Sequence, residues 1–189
     1  IDRIMKGIEQ RDPAKAKELL KAAGYETGLK LTIRPAIEDA AEVRTAEIVQ
    51  QNLQDIGIEV DIEQLEVGKW YDDVWFDHKF EVTGAWYTRE PDPDALMQSV
   101  IRKGGGNNVA AYFSQQIEDL LDQGKATSDP AKRIEIYKQV QQIVLTQDYP
   151  FVHVGMLEVA DAANARVEGL KLTPKGYSVQ LWHQMTFKP

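Results

Sequence analysis

Nine consecutive residues, Trp86-Tyr87-Thr88-Arg89-Glu90-Pro91-Asp92-Pro93-Asp94, gather the side chains best suited to chemistry in this sequence. Asp92 and Asp94 stand at alternate positions, and two carboxylates at a suitable separation can act as an acid and base pair, as in glycoside hydrolysis. Arg89 offers a planar fork for a carboxylate or phosphate, and Trp86 and Tyr87 offer large aromatic surfaces. Pro91 and Pro93 hold the backbone before each of them extended. A loop that is stiff, polar and aromatic has the makings of a recognition element. The structural alternative gives the same residues to the scaffold, with Asp92 capping the next helix, Pro93 in its first turn and Trp86 in the core.

Other candidate chemistries find less support. His78, His153 and His183 are far apart and lack the spacing of a zinc site. Asp72, Asp73, Asp77 and His78 lie close together, but they read as the wet side and end of a helix rather than as metal ligands. Gly104-Gly105-Gly106 lacks the lysine and Ser/Thr of a phosphate-binding loop, and Asn107-Asn108 after it make a turn. No serine sits between glycines as a nucleophile elbow. An enzyme reading therefore reduces to a hydrolase or transferase using Asp92 and Asp94.

Composition narrows the classes further. A net charge of −8 without a Lys/Arg cluster argues against nucleic acid as a partner. No apolar run is long enough to cross a membrane as a helix. The absence of cysteine removes disulfide and thiolate chemistry and fits an oxidising bacterial compartment. The start at Ile-Asp-Arg reads as a processed or cut chain, without a leader.

The elements that must position the loop follow from periodicity. Asp12 and Pro13 start a helix whose apolar stripe is Leu19, Leu20 and Ala23, ending at Gly24. Leu29, Leu31 and Ile33 alternate with charged and polar residues as a strand, and Ile58, Val60 and Ile62 do the same. Between them, Ala41 to Ile56 puts Ala46, Val49, Leu53 and Ile56 on one helical face. This is a βαβ unit with parallel strands, in which Lys30 and Arg34 are expected to face the acidic residues of the second strand. Val67 to Phe76 reads as a helix with Trp70, Val74 and Tyr71 inward, and Phe80, Val82 and Gly84 as a third strand delivering the loop. Ala95–Ile101 and Ser114–Gly124 read as helices, and Asp129-Pro130-Ala131-Lys132 repeats the earlier start signal before a helix burying Ile136, Val140, Ile143 and Val144. The repeat is two uses of one cap, since nothing after it recurs at a fixed period. Strand character marks Phe151–Leu157, Leu170–Thr173 and Val179–Trp182.

Several segments together resemble the carboxy-terminal part of the periplasmic solute-binding proteins that serve bacterial ABC importers of peptides, nickel complexes and related solutes. They are Asp12-Pro13-Ala14-Lys15-Ala16 through Gly24-Tyr25, the loop with Trp86, Arg89 and Asp92-Pro93-Asp94, Asn107 to Tyr112, and Ile117 through Asp129-Pro130, Arg133, Tyr137 and Tyr149-Pro150. The resemblance implies an α/β fold, a type II periplasmic-binding-protein-like lobe with a mixed sheet and flanking helices. Residues 1–158 would form the second lobe of a two-lobed binding protein, and residues 159–189 would return across the hinge toward the first. Ligand would lie between lobes that close by hinge motion, with Trp86, Tyr87, Thr88, Arg89 and Asp92 as the contacts offered by this lobe. The implied partners are a peptide-like or other small polar or anionic solute and an ABC permease, with no cofactor, no catalysis, no nucleic acid and no membrane insertion. The implied location is the periplasm, or the cell exterior on a lipid anchor in a Gram-positive source. A sensor or chaperone lobe of the same fold is a third reading. Many peptide-binding members have an aspartate where Arg89 stands, pairing with the peptide amino terminus, and a cation there inverts the preferred ligand charge.

Overall fold

The first half of the chain is built on the alternation of apolar and charged residues. The computed structural model describes residues 11–87, 90–155, 162–170 and 184–188, and contacts divide the chain into two units, Ile1–Trp86 with Val109–Ala111 and Tyr87–Asn108 with Tyr112–Pro189.

In the first unit the order is α1 (Pro13–Ala22), β1 (Lys30–Ile33), α2 (Ala40–Gln54), β2 (Glu59–Ile62) and α3 (Val67–Trp70), which runs on as a π-helical segment, Tyr71–Phe76. β1 and β2 pair in parallel from Lys30 opposite Glu59 to Ile33 opposite Ile62. On their wet face Lys30 meets Glu59 and Asp61, each at 2.9 Å, and Arg34 meets Glu63 at 2.8 Å, the charge pairing expected from the sequence. On the dry face Ile33, Ile58 and Val60 are buried with Ala46 of α2, and Val49, Leu53 and Ile56 pack around them. The expected third strand is reduced to one parallel bridge, Val82 to Ile33, made by Arg34 N to Val82 O at 2.9 Å and Val82 N to Thr32 O at 3.2 Å. A second core joins Ala36, Leu65, Trp70, Val74 and Val109.

Two further expectations in this unit need correction. Leu19 is 59% exposed and α1 buries no residue fully, so only Leu20 of the predicted stripe packs on the core. Tyr71 is exposed rather than inward, edge-on to the buried Trp70 with ring centroids 5.3 Å apart.

The second unit is helical: α4 (Pro93–Val100), α5 (Gln115–Ala126) and α6 (Pro130–Ile143), which also ends in a π-helical turn, Val144–Asp148. Their apolar faces meet in one cluster centred on the fully buried Ile117, Leu121 and Val140, with Val100, Tyr137 and Ile143. Asp12 and Asp129 both cap helices: Asp12 accepts from Lys15 N at 2.9 Å, and Asp129 from Ala131 N at 2.9 Å and Lys132 N at 3.3 Å. Gly105 follows α4 because its backbone presses on the Gln98 and Ser99 carbonyls, where a Cβ would collide. The buried Asn108 fastens the same turn, donating to Arg102 O (3.0 Å) and Tyr112 O (2.8 Å) and accepting from Tyr112 N (3.0 Å).

After Pro150 the expected strand does not form over residues 151–155, where Val152 and Val154 stand exposed. A strand needs a neighbour for its backbone groups, and among the described residues none pairs with this stretch. The rest of that expectation, like most of Leu170–Thr173 and all of Val179–Trp182, lies outside the described residues. The observed antiparallel pair is β3 (Val167–Glu168) with β4 (Thr186–Phe187).

Candidate functional site

The predicted recognition stretch is divided between the two units, with Trp86 ending one and Tyr87 beginning the other. Thr88 and Arg89 lie outside the described residues.

On the first unit, the chain approaching Trp86 is held by side-chain bonds rather than by a strand ladder. The Thr83 hydroxyl donates to Arg34 O at 2.8 Å, and the Trp70 indole N–H reaches Arg34 O at 3.0 Å and Thr83 Oγ1 at 3.2 Å. Gly84 N donates to the Glu42 carboxylate at 3.2 Å. Trp86 itself is 58% exposed, which overturns the structural alternative that buries it in the core. An indole left this far in solvent forgoes much of the burial that stabilises aromatic side chains, a cost that suits a binding surface better than a scaffold.

On the second unit, Tyr87 is half-buried against the helical cluster, and its hydroxyl donates to Asn107 O at 3.2 Å. Burial pushes its phenol above the ordinary value. With Glu90, Ala95, Leu96, Ser99 and Asn107 it lines a cavity of about 240 Å³, and Asn107 is fixed there by its own donation to Ser99 Oγ at 2.7 Å.

Asp92 does what the capping alternative required. Its carboxylate accepts from Asp94 N at 2.8 Å, Pro93 takes the first helical position, and α4 begins. The same carboxylate receives a two-pronged contact from Arg133 of α6, 2.8 Å to Oδ2 and 3.0 Å to Oδ1. The Arg133 guanidinium holds the Asp92 carboxyl below the usual carboxylate range. Arg133 also donates to Gly124 O at 3.1 Å and lies over the Tyr137 ring at 5.2 Å. Asp94 accepts from the Tyr137 hydroxyl at 2.7 Å and from Gln98 Nε2 at 3.0 Å. Burial first, and then Asp94, push the Tyr137 phenol up to about 12. Both carboxylates of the suspected acid and base pair are therefore committed to fastening α4 on α6. A larger groove of about 540 Å³ runs along α6 past Pro93, Thr127, Pro130, Arg133 and Tyr137.

The suspected metal ligands separate in the same way. Asp73 pairs with Lys69 and Lys79, and His78 Nδ1 is 2.8 Å from Val109 O. No cluster of three or more metal-ligating side chains occurs among the described residues.

A family model described as bacterial extracellular solute-binding proteins, family 5 Middle, matches residues 4–108. The chain belongs to this family. It is 30% identical over 174 residues to the dipeptide-binding protein of Escherichia coli K12, covering 87% of this chain and 32% of that one. Identity is 26% over 180 residues to the glutathione-binding protein GsiB of the same strain, covering 89% and 35%. Among solved structures, DppA of Helicobacter pylori in complex with the peptide STSA superposes with a TM-score of 0.74 at 29% identity, over 94% of this chain and 35% of that one. OppA of Burkholderia pseudomallei shares the fold at a TM-score of 0.79 and 20% identity, over 94% and 35%. The family 5 chain described here thus spans about a third of the length of the relatives it matches. Its fold is that of an α/β lobe of the type II periplasmic binding proteins.

Sequence reasoning reached the loop but missed what holds it. Glu42 does not stand out in the sequence, Asn108 does so only as part of a turn and a family-like segment, and Arg133 and Tyr137 only as family-like residues. An acidic residue three positions after the Asp39 cap was the available signal for Glu42, since that spacing makes a capping box.

Proposed function

We propose that this chain is the second lobe, residues 1–158 with a returning segment 159–189, of a longer solute-binding protein that delivers its ligand to an ABC permease. Trp86, Tyr87, Thr88, Arg89 and Asp92 are the ligand contacts of this lobe, and Asp92 also fixes the end of the loop through its cap and the Arg133 fork. The ligand is peptide-like or another small polar or anionic solute, as the names of the dipeptide-binding and glutathione-binding relatives suggest. Closure of two lobes excludes water around it, and each lobe supplies contacts that the other cannot make alone. The protein works outside the cytoplasm, in the periplasm or on a lipid anchor.

The observation that carries this reading is the exposed indole of Trp86 at the end of a segment anchored on both sides. Catalysis is disfavoured because Asp92 and Asp94 are engaged by Arg133 and Tyr137. In the longer protein, Trp86→Ala should weaken binding of dialanine or glutathione by about tenfold in calorimetry, the scale of a lost aromatic contact. Unchanged affinity for every solute that binds would remove Trp86 from the site. Turnover lost on replacing Asp92 and Asp94 with asparagine would favour a hydrolase instead.

A further inference from the structure

The first turn of α2 carries a carboxylate that reaches away from its own helix. Asp39 already caps that helix, accepting from Ala41 N and Glu42 N at 3.0 Å each. A glutamate at the position of Glu42 ordinarily turns back to the N–H of the cap residue, but here Asp39 N is bonded to Ala36 O at 3.1 Å. Glu42 instead takes the N–H of Gly84 at 3.2 Å, with the Ala36 N–H also drawn toward its carboxylate. One side chain thus joins the start of α2, the stretch after β1 and the segment leading to Trp86.

The approach is close enough that any side chain at residue 84 would have to push the Glu42 side chain aside. A Cβ on residue 84 would stand 2.6 Å from Glu42 Cγ and 3.0 Å from the carboxyl carbon. From the opposite side, Thr83 is fixed through Arg34 O and the buried Trp70 indole. The backbone two residues before the exposed Trp86 is therefore gripped between a carboxylate and a core tryptophan.

We propose that Glu42 is a positioning residue for ligand capture, holding Gly84 so that the Trp86 indole is presented at a fixed place. This rests on the reading of Trp86 as a ligand contact. Burial raises the Glu42 carboxyl to about 7, against the opposing pull of the Ala36 and Gly84 N–H groups. The capping Asp39 carboxylate raises it further, while the Ala36 and Gly84 N–H groups oppose the rise. Protonation near neutral pH weakens the acceptor that grips Gly84, and the indole position follows.

The test uses the longer protein labelled with 5-fluorotryptophan, the Trp86 fluorine resonance being assigned by its loss in Trp86→Phe. That resonance should shift with pH around a midpoint near 7 and should stop shifting in Glu42→Gln, which keeps the shape and an amide acceptor. Affinity for dialanine or glutathione should fall about threefold to tenfold in Glu42→Gln at pH 8, and the difference should close at pH 6, where the wild type is itself protonated. Gly84→Ala, which displaces the carboxylate without removing it, should reproduce the loss at pH 8. A Trp86 resonance with the same pH profile in wild type and Glu42→Gln overturns the proposal, as does a loss of affinity in Glu42→Gln that is equally large at both pH values. A resonance that behaves as expected while affinities stay unchanged leaves Glu42 setting the indole but overturns Trp86 as a ligand contact.

Discussion

At the scale of single residues, the division of labour within one short stretch is the main result. Asp92 serves the scaffold by capping α4 and receiving the Arg133 fork, and that guanidinium depresses its pKa. The folded-state value lies below 3.8, so its contribution is present above about 3.8 and is lost as pH falls through the lower folded value. The difference in urea midpoint between wild type and Asp92→Asn should be constant above pH 5 and should shrink toward pH 2. Asp92→Ala, which also removes the cap, should cost about 1 kcal/mol in the same measurement. Glu42 acts in the opposite sense. Its folded-state value is raised from 4.5 to about 7, so the native state binds the proton more tightly and stability falls as pH rises through that window. Glu42→Gln should flatten that decline in denaturant titrations between pH 4.5 and 7. Arg89 carries the third residue-scale expectation. Arg89→Asp should shift preference by at least about tenfold toward ligands with a free amino terminus, since a cation is replaced by an anion, and calorimetry with a peptide and its acetylated form checks it.

At the scale of elements, what could be read from sequence was whatever repeats locally. Leu29 to Ile33 and Ile58 to Ile62 alternate because one face is dry and the other carries the Lys30 and Arg34 ion pairs, and that pattern is written in consecutive residues. The helix starts at Asp12 and Asp129 were legible for the same reason. The strand predicted through Gly84 was not realised beyond Val82, because Thr83 and Gly84 bond to Arg34 and Glu42 rather than to a neighbouring strand. Alternation cannot reveal which groups will satisfy a backbone. Nor could it reveal the fork of Arg133 on Asp92, which joins positions 41 apart. The π-helical turns after Trp70 and Ile143 were equally invisible, since an added residue in one turn leaves the apolar spacing before it intact. The helical cluster should dominate the stability of its unit: Leu121→Ala, at a fully buried position, should cost about 2–5 kcal/mol in urea unfolding.

At the scale of the whole molecule, the decisive fact is proportion. Since the chain spans about a third of its relatives, part of any ligand's surroundings would come from elsewhere under the two-lobe proposal. Calorimetry on this chain alone and on the longer protein should show binding only in the latter. Equal tight binding by both would contradict a shared cleft. The fork of Arg133 on Asp92 has one more consequence. Because α4 is already locked to α6 before a solute arrives, the far end of the loop is preorganised, and its disorder is not a debt that capture must settle. Under the two-lobe proposal, discrimination among solutes would then rest on side-chain chemistry at positions 86 to 89, and one scaffold could be retuned to new cargo by point changes there without being rebuilt.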